Sequence, residues 1–159
     1  MFYRIKENKL YDYADYKYLD ECLETDITTI EELQQHPNKV IVKDNKLILN
    51  PNYEKELEEK EKERVNSLHC TKRVLALVLK ELGISYANLQ TLIATNEDAQ
   101  LEWDLCVELE RSNPLLDILG AELGISPTTI DKIFKYANGE IGKEDFDETA
   151  IVKGGIANG

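Results

Sequence analysis

Residues 81–85 read ELGIS, and residues 122–126 read ELGIS again. The offset of 41 also aligns Leu75 with Leu116, Leu89 with Ile130 and Leu92 with Ile133. Each copy is an apolar run at helical spacing, a Gly-Ile-Ser corner and a second short amphipathic run, which is the pattern of a helix-turn-helix unit. In the first copy Thr71 caps a helix through Leu82, with Val74, Leu75, Val78 and Leu79 turned inward. Gly83 then ends that helix in a left-handed conformation and Ser85 opens the next. In the second copy Asn113-Pro114 and Ser126-Pro127 each place a capping side chain before a proline at the first helical position. Between the copies Asn96 opens a run with Leu101, Trp103, Leu105, Cys106, Val107 and Leu109, expected to form the central helix of a bundle. The last helix is expected to finish near Asn138-Gly139.

Upstream, YEKELEEKEKER over residues 53–64 is almost entirely charged, with Glu-to-Lys spacings of three and four that support an exposed helix. Only Leu57 and Val65 offer it a buried side, so it reads as a connector rather than a coiled coil. Further upstream two hairpins are indicated, one turning at Asn8-Lys9 and one at Asp44-Asn45, where Val40 to Lys43 and Leu47 to Leu49 alternate around turn residues. Both are expected in one small sheet. Thr28 or Thr29, with Glu31 or Glu32 three residues on, marks a capping box for a short helix ending near His36-Pro37. The class is therefore α+β: a small β-rich module of antiparallel hairpins over 1–52, a charged connecting helix over 53–70, and a helical bundle with two helix-turn-helix-like repeats over 71–139. An acidic, Gly-rich stretch over 140–159 reads as a flexible tail, with Ile151-Val152 as an apolar anchor for a partner.

The chain has 159 residues and a net charge of −12, divided as 11 basic against 16 acidic residues before position 71 and 8 against 15 after it. Neither half is basic, which disfavours phosphate binding. Three cysteines without a CxxC pair signal neither a disulfide framework nor a zinc site, and reduced thiols in the cytoplasm are the simplest reading. No secretory signal is visible and no apolar run can span a bilayer, so no membrane association is expected.

The helix-turn-helix pattern makes a DNA-binding regulator one reading, with Ser126-Pro127 opening the recognition helix. That helix offers Thr128, Thr129, Asp131, Lys132 and Lys135, only two cations, and Glu140, Glu144, Asp145, Asp147 and Glu148 follow it. Nucleic acid is thus not the expected partner. His69-Cys70 could be drawn as base and nucleophile, but adjacent side chains point different ways. There is no GxGxxG, P-loop, GxSxG or HExxH, so no enzyme, cofactor or metal is indicated. Tyr3, Tyr11, Tyr13, Tyr16 and Tyr18 fall within the first eighteen residues. They read either as a protein-binding face or as the core of a small sheet.

The stretch FYRIKENKLYDYADYKYLDECLETDITTIEELQQHPNKVIVKDNKLILNPNYE resembles the opening of small proteins encoded among tail and baseplate genes of phages and prophages. The tyrosine hairpin, the CLETDI segment and the NPNYE end carry the likeness. The part from TKRVLALVLKELGIS through SNPLLDILGAELGISPTTID resembles the C-terminal portion of proteins of that kind. The resemblance reaches to about Gly142 and transfers no catalytic residue. It implies a virion accessory or assembly protein, made in the host cytoplasm, that binds a tail, baseplate or fibre structural protein; a homo-oligomer is compatible with it. A further alternative is an acidic inhibitor of a host defence complex that imitates nucleic-acid phosphate.

Overall fold

Two pairs of residues held at positive φ shape the N-terminal region: Glu7 and Asn8 at 53° and 58°, and Asp44 and Asn45 at 49° and 59°. Left-handed backbone at both central positions makes a two-residue hairpin turn whose twist matches its strands. In the computed structural model, which describes residues 1–146, these turns join β1 (Phe2–Lys6) to β2 (Lys9–Ala14) and, later, β4 (Val40–Lys43) to β5 (Lys46–Leu49). The short strand β3 (Leu23–Glu24) adds to the other side of β1, giving the order β2-β1-β3. The two hairpins do not share a sheet, contrary to expectation; β4-β5 is separate. Side chains join them instead: Tyr3, Leu33, Val40 and Leu47 form one small core, and the Leu47 N–H donates to the Tyr3 hydroxyl at 3.3 Å. Leu33 comes from α1 (Ile30–Gln35), whose capping box is Thr29 with Glu32.

The chain divides into two compact units, Met1–Glu59 and the residues from Lys60 onward. Helix α2 (Tyr53–Asn66) runs across that boundary. Its last turns are not a solvated rod. Val65 is buried, Glu61 accepts from Arg64 and from Lys135 at 2.7 Å, and the Arg64 guanidinium forks onto Glu140 at 2.7 and 2.9 Å.

The two repeats build the second unit as β6 (His69–Thr71), α3 (Lys72–Glu81) and α4 (Tyr86–Ala94), then α5 (Glu97–Leu105), then β7 (Glu108–Glu110), α6 (Pro114–Glu122) and α7 (Pro127–Ala137). Gly83 and Gly124 hold φ of +79° and +70°. Each closes its helix with the same two bonds, Gly83 to Lys80 and Ile84 to Leu79 in one copy, Gly124 to Ala121 and Ile125 to Gly120 in the other. That paired closure needs the left-handed residue glycine supplies.

The copies are also interlocked. His69 pairs with Glu110, which is its own equivalent 41 residues on, and Cys70 pairs with Leu109. Exchanging the copies turns that second pair into Leu68 with Arg111, and the Arg111 N–H does donate to the Leu68 carbonyl at 2.8 Å. The register is that of a local two-fold relation, and the helices obey it: α3 packs on α7, and α4 on α6. The shared core runs through Leu75, Leu79, Leu89, Ile93, Ile130 and Phe134. One difference is that Gly120 stands opposite Leu79 in the repeat; a Cβ there would meet Ile130 Cδ1 at 2.5 Å, so glycine lets α6 and α7 approach.

Two expectations fail here. The run from Asn96 does not continue to Leu109 as a helix: it ends at Leu105, Cys106 is extended (φ −75°, ψ 147°), and Leu109 belongs to β7. Tertiary pairing with residues 69–71 overrides the helical spacing. Nor is the start of the 140–159 stretch loose. Lys143–Asp145 form a 3-10 turn, and Phe146 is buried with its ring 5.7 Å from that of Tyr136. Residues 147–159, which include Ile151 and Val152, lie outside the described residues.

Arg111 is 5% exposed and forks onto Asp131 at 2.6 Å and Asp117 at 3.0 Å, with a third bond to the Pro127 carbonyl at 3.3 Å. It thereby ties the end of β7 to both helices of its copy. Arg111→Ala is expected to cost about 3 kcal/mol, the order found when a buried pair loses one partner; an unfolding free energy from denaturant titration that stays within a few tenths of a kcal/mol of wild type would remove this role.

Glu61 is held down to about 2, from an ordinary 4.5, first by its bond to Arg64 and then by Lys135. A depressed folded-state value means its contribution is present above pH 4.5 and is lost as pH falls through 2. Glu61 is half exposed, so the effect is small and screened by salt. The Tm difference between wild type and Glu61→Gln should shrink steadily from pH 5 to pH 2; a difference independent of pH in that window would contradict the tether.

Candidate functional site

The N-terminal hairpin carries the most developed polar and aromatic constellation in the first unit. Its geometry starts from a register shift. Arg4 stands opposite Asp12, but Ile5 stands opposite Leu10, so Tyr11 has no partner across the ladder. Such an extra residue re-aims side chains along the strand. Strict alternation would place Tyr11 with Tyr13 on the face of Tyr3. Instead its ring lies under the Arg4 guanidinium at 5.2 Å and the Lys6 ammonium at 5.5 Å, on the outer face.

Arg4 is the hub of that face. Its guanidinium forks onto both oxygens of Asp12, reaches Glu21 at 2.8 Å and has the Tyr18 ring at 5.6 Å. The Tyr18 hydroxyl donates to Asp12. These contacts hold Asp12 below the usual carboxylate range, chiefly through Arg4, while desolvation and then the neighbouring Asp12 push the Tyr18 phenol up to about 12. Asp12 is thus a fixed negative partner and Tyr18 a fixed donor. Arg4, Tyr11 and Glu21, with Ile5, Lys6, Leu23 and Asn45, line an open hollow of about 460 Å³.

The five tyrosines separate by position. Tyr3, at 3% exposure, is core and cannot meet a partner, because β1 is the central strand and its ring lies over Leu47 and Val40; it leaves the protein-binding set. Tyr18 is half-buried by its hydroxyl bond. Tyr11, Tyr13 and Tyr16 are exposed, Tyr16 at 70%, and Leu19 and Leu23 are exposed near them. Among the described residues β2 is an edge strand with one side unpaired. Arg4, Asp12 and Lys6 were not singled out in the sequence, although an arginine alternating with Tyr3 and Ile5 places it on the face opposite the core.

In the second unit the would-be recognition helix is a core helix. Ile130, Ile133 and Phe134 of α7 are buried, Phe134 completely. Both of its cations are engaged: Lys132 donates to the Asp145 carbonyl at 2.8 Å and Lys135 to Glu61. Asp131 is held by Arg111. Glu140, one of the carboxylates that follow this helix, is occupied by Arg64. His69 and Cys70 lie on a strand, not a helix, so they face opposite ways, His69 to solvent and Cys70 to the core. Burial, and then Glu108, push the Cys70 thiol up to about 11. Among the described residues no group of three or more His, Cys, Asp or Glu is placed to hold a metal, and no helix is long and apolar enough to cross a membrane. Against known protein families, curated proteins and solved structures, the chain finds no match.

Native alkylation of Cys70 by iodoacetamide at pH 8 should be slower by orders of magnitude than in the unfolded chain, since the reactive thiolate is both scarce and covered. Comparable rates, read by mass spectrometry of the Cys70 peptide, would mean the β6 environment opens readily.

Proposed function

We propose that the chain is a non-enzymatic binding protein of a phage or prophage assembly, docking a tail, baseplate or fibre protein through the outer face of its N-terminal hairpin. The observation that carries this reading is the placement of Tyr11. A register shift brings it out of the core face and onto a face where Arg4, Lys6 and Tyr18 fix its surroundings, and Tyr16 stands exposed beside the same strand. Tyrosine supplies contact area and a hydroxyl while losing few rotamers, and Arg with Tyr is the pairing that dominates protein interfaces. An edge strand adds unpaired backbone groups for a partner chain. The resemblance of the tyrosine hairpin to proteins of tail and baseplate regions supplies the class of partner.

The regulator reading has less support, because the two cations of α7 are committed to intramolecular bonds. Tagged chain recovered from infected or induced cells, with nuclease added to half the sample, tests both. The expected result is a nuclease-resistant virion structural protein whose recovery falls at least tenfold in the double variant Tyr11→Ala, Tyr16→Ala, the loss of about 1.4 kcal/mol or more typical of interface anchors. Equal recovery by the variant would sink the proposed face. Recovery of DNA that disappears with nuclease would transfer the function to the second repeat.

A further inference from the structure

The chain has four arginines, at positions 4, 64, 73 and 111. Three of them fork onto carboxylates. Arg73 is exposed, and among the described residues neither it nor the exposed Lys80 takes part in any ion pair. These two cations share one face of α3, and they flank an open groove of about 470 Å³ with Leu77, 55% exposed, and Ala76 in its wall and Tyr86 at its end. The lining is mainly apolar, with positive charge at the rim.

The same unit carries the inverse surface. Leu101 and Leu105 lie one turn apart on α5, and Val107 follows; Leu105 and Val107 are 74% and 77% exposed. At 3.6 residues per turn these leucines share the side of α5 opposite buried Ala99, with Asp98 and Glu102 on one flank and Glu97 and Asp104 on the other. All four carboxylates are exposed and, among the described residues, none is ion-paired. Among the described residues both surfaces stay uncovered, so neither masks the other.

We propose that a second copy of this chain occupies the groove: the Leu101, Leu105 and Val107 ridge of one copy seats on Leu77 of the next, and its acidic flanks meet Arg73 and Lys80. The commitment to self-association rests on complementarity in both respects, apolar ridge to apolar groove and carboxylate rim to cationic rim. A partner of other sequence would need to reproduce what α5 already displays. Each copy carries both surfaces, so association either closes as a two-fold pair, each ridge in the other's groove, or runs head to tail until a larger ring closes or the series ends. This inference concerns the second unit only and does not depend on the tyrosine face.

Sedimentation velocity and light scattering of the purified full chain, from micromolar toward millimolar concentration, test it. The expected result is a weight-average mass that rises above the monomer with concentration and falls back as salt is raised, since the rim charges are exposed. Leu77→Glu removes the groove and Leu105→Glu removes the ridge. Each alone should be monomeric with unchanged circular dichroism, as both positions are exposed, and an equimolar mixture should regain a one-to-one pair that grows no further. Tyr11→Ala, Tyr16→Ala should associate as wild type does. A wild type that is monomeric throughout overturns the proposal. So does association that both Glu variants leave intact, or a mixture that stays monomeric where wild type associates.

Discussion

The hydrogen bond from the Arg111 N–H to the Leu68 carbonyl, 2.8 Å long, fixes how the second unit closes. It extends the β6-β7 pairing beyond His69–Glu110 to the residues that exchange of the repeats requires. One β-α-α copy has an apolar face and nothing to bury it against. Crossing the two strands brings α7 onto α3 and α6 onto α4, so each copy completes the other's core. The arginine at that crossing then carries the constraint outward, because its guanidinium reaches Asp117 on α6 and Asp131 on α7. Backbone and side chain of one residue thus set both the strand register and the angle between the helices that follow.

What the sequence made legible was local. The Gly-Ile-Ser corners, the Ser and Asn caps, the capping box at Thr29 and the Asp44-Asn45 turn each rest on chemistry within four residues, and each is found as read. The three-residue strands β6 and β7 were not legible, since their pairing is set by contacts some forty residues apart and three residues show no period. For the same reason the run after Asn96 looked like a longer helix than it is. The Tyr11 register shift was hidden as well: alternation assigns faces by parity, and a single inserted residue reverses parity for everything beyond it. Arg111 gave no signal of its burial, because its two carboxylate partners are six and twenty residues away.

Charge behaves in the same graded way. A sum of −12 suggests a uniformly acidic surface, yet many of the cations are spent in specific pairs: Arg4 with Asp12, Lys39 with Glu32, Arg64 with Glu140, Lys135 with Glu61. Each pair also neutralises a carboxylate, so the surface field is shaped by the residues left over rather than by composition. Those leftovers are uneven. They include four carboxylates on α5 and Arg73 with Lys80 on α3, where the second unit also exposes aliphatic side chains.

That coincidence bears on how exposed apolar residues should be weighed. Leu101 and Leu105 carry the i, i+4 spacing of a buried helix face, and by periodicity alone they belong to the core; the structure leaves them outside, with Val107 exposed just past the helix end, because Ala99 and Trp103 already fill the seat of α5. Folding therefore does not account for them. Single exposed leucines are common, whereas large aliphatics grouped inside a charged border are the surface that the proposed self-association would cover. The tyrosines invite the same test and divide under it: Tyr3 is explained by the sheet core and Tyr18 by Asp12, whereas Tyr11 and Tyr16 remain largely exposed beyond their contacts with Arg4 and Lys6 and with Tyr18. Subtracting what folding requires from what the sequence contains is what separates the two proposed contact faces from the remainder of an otherwise acidic surface.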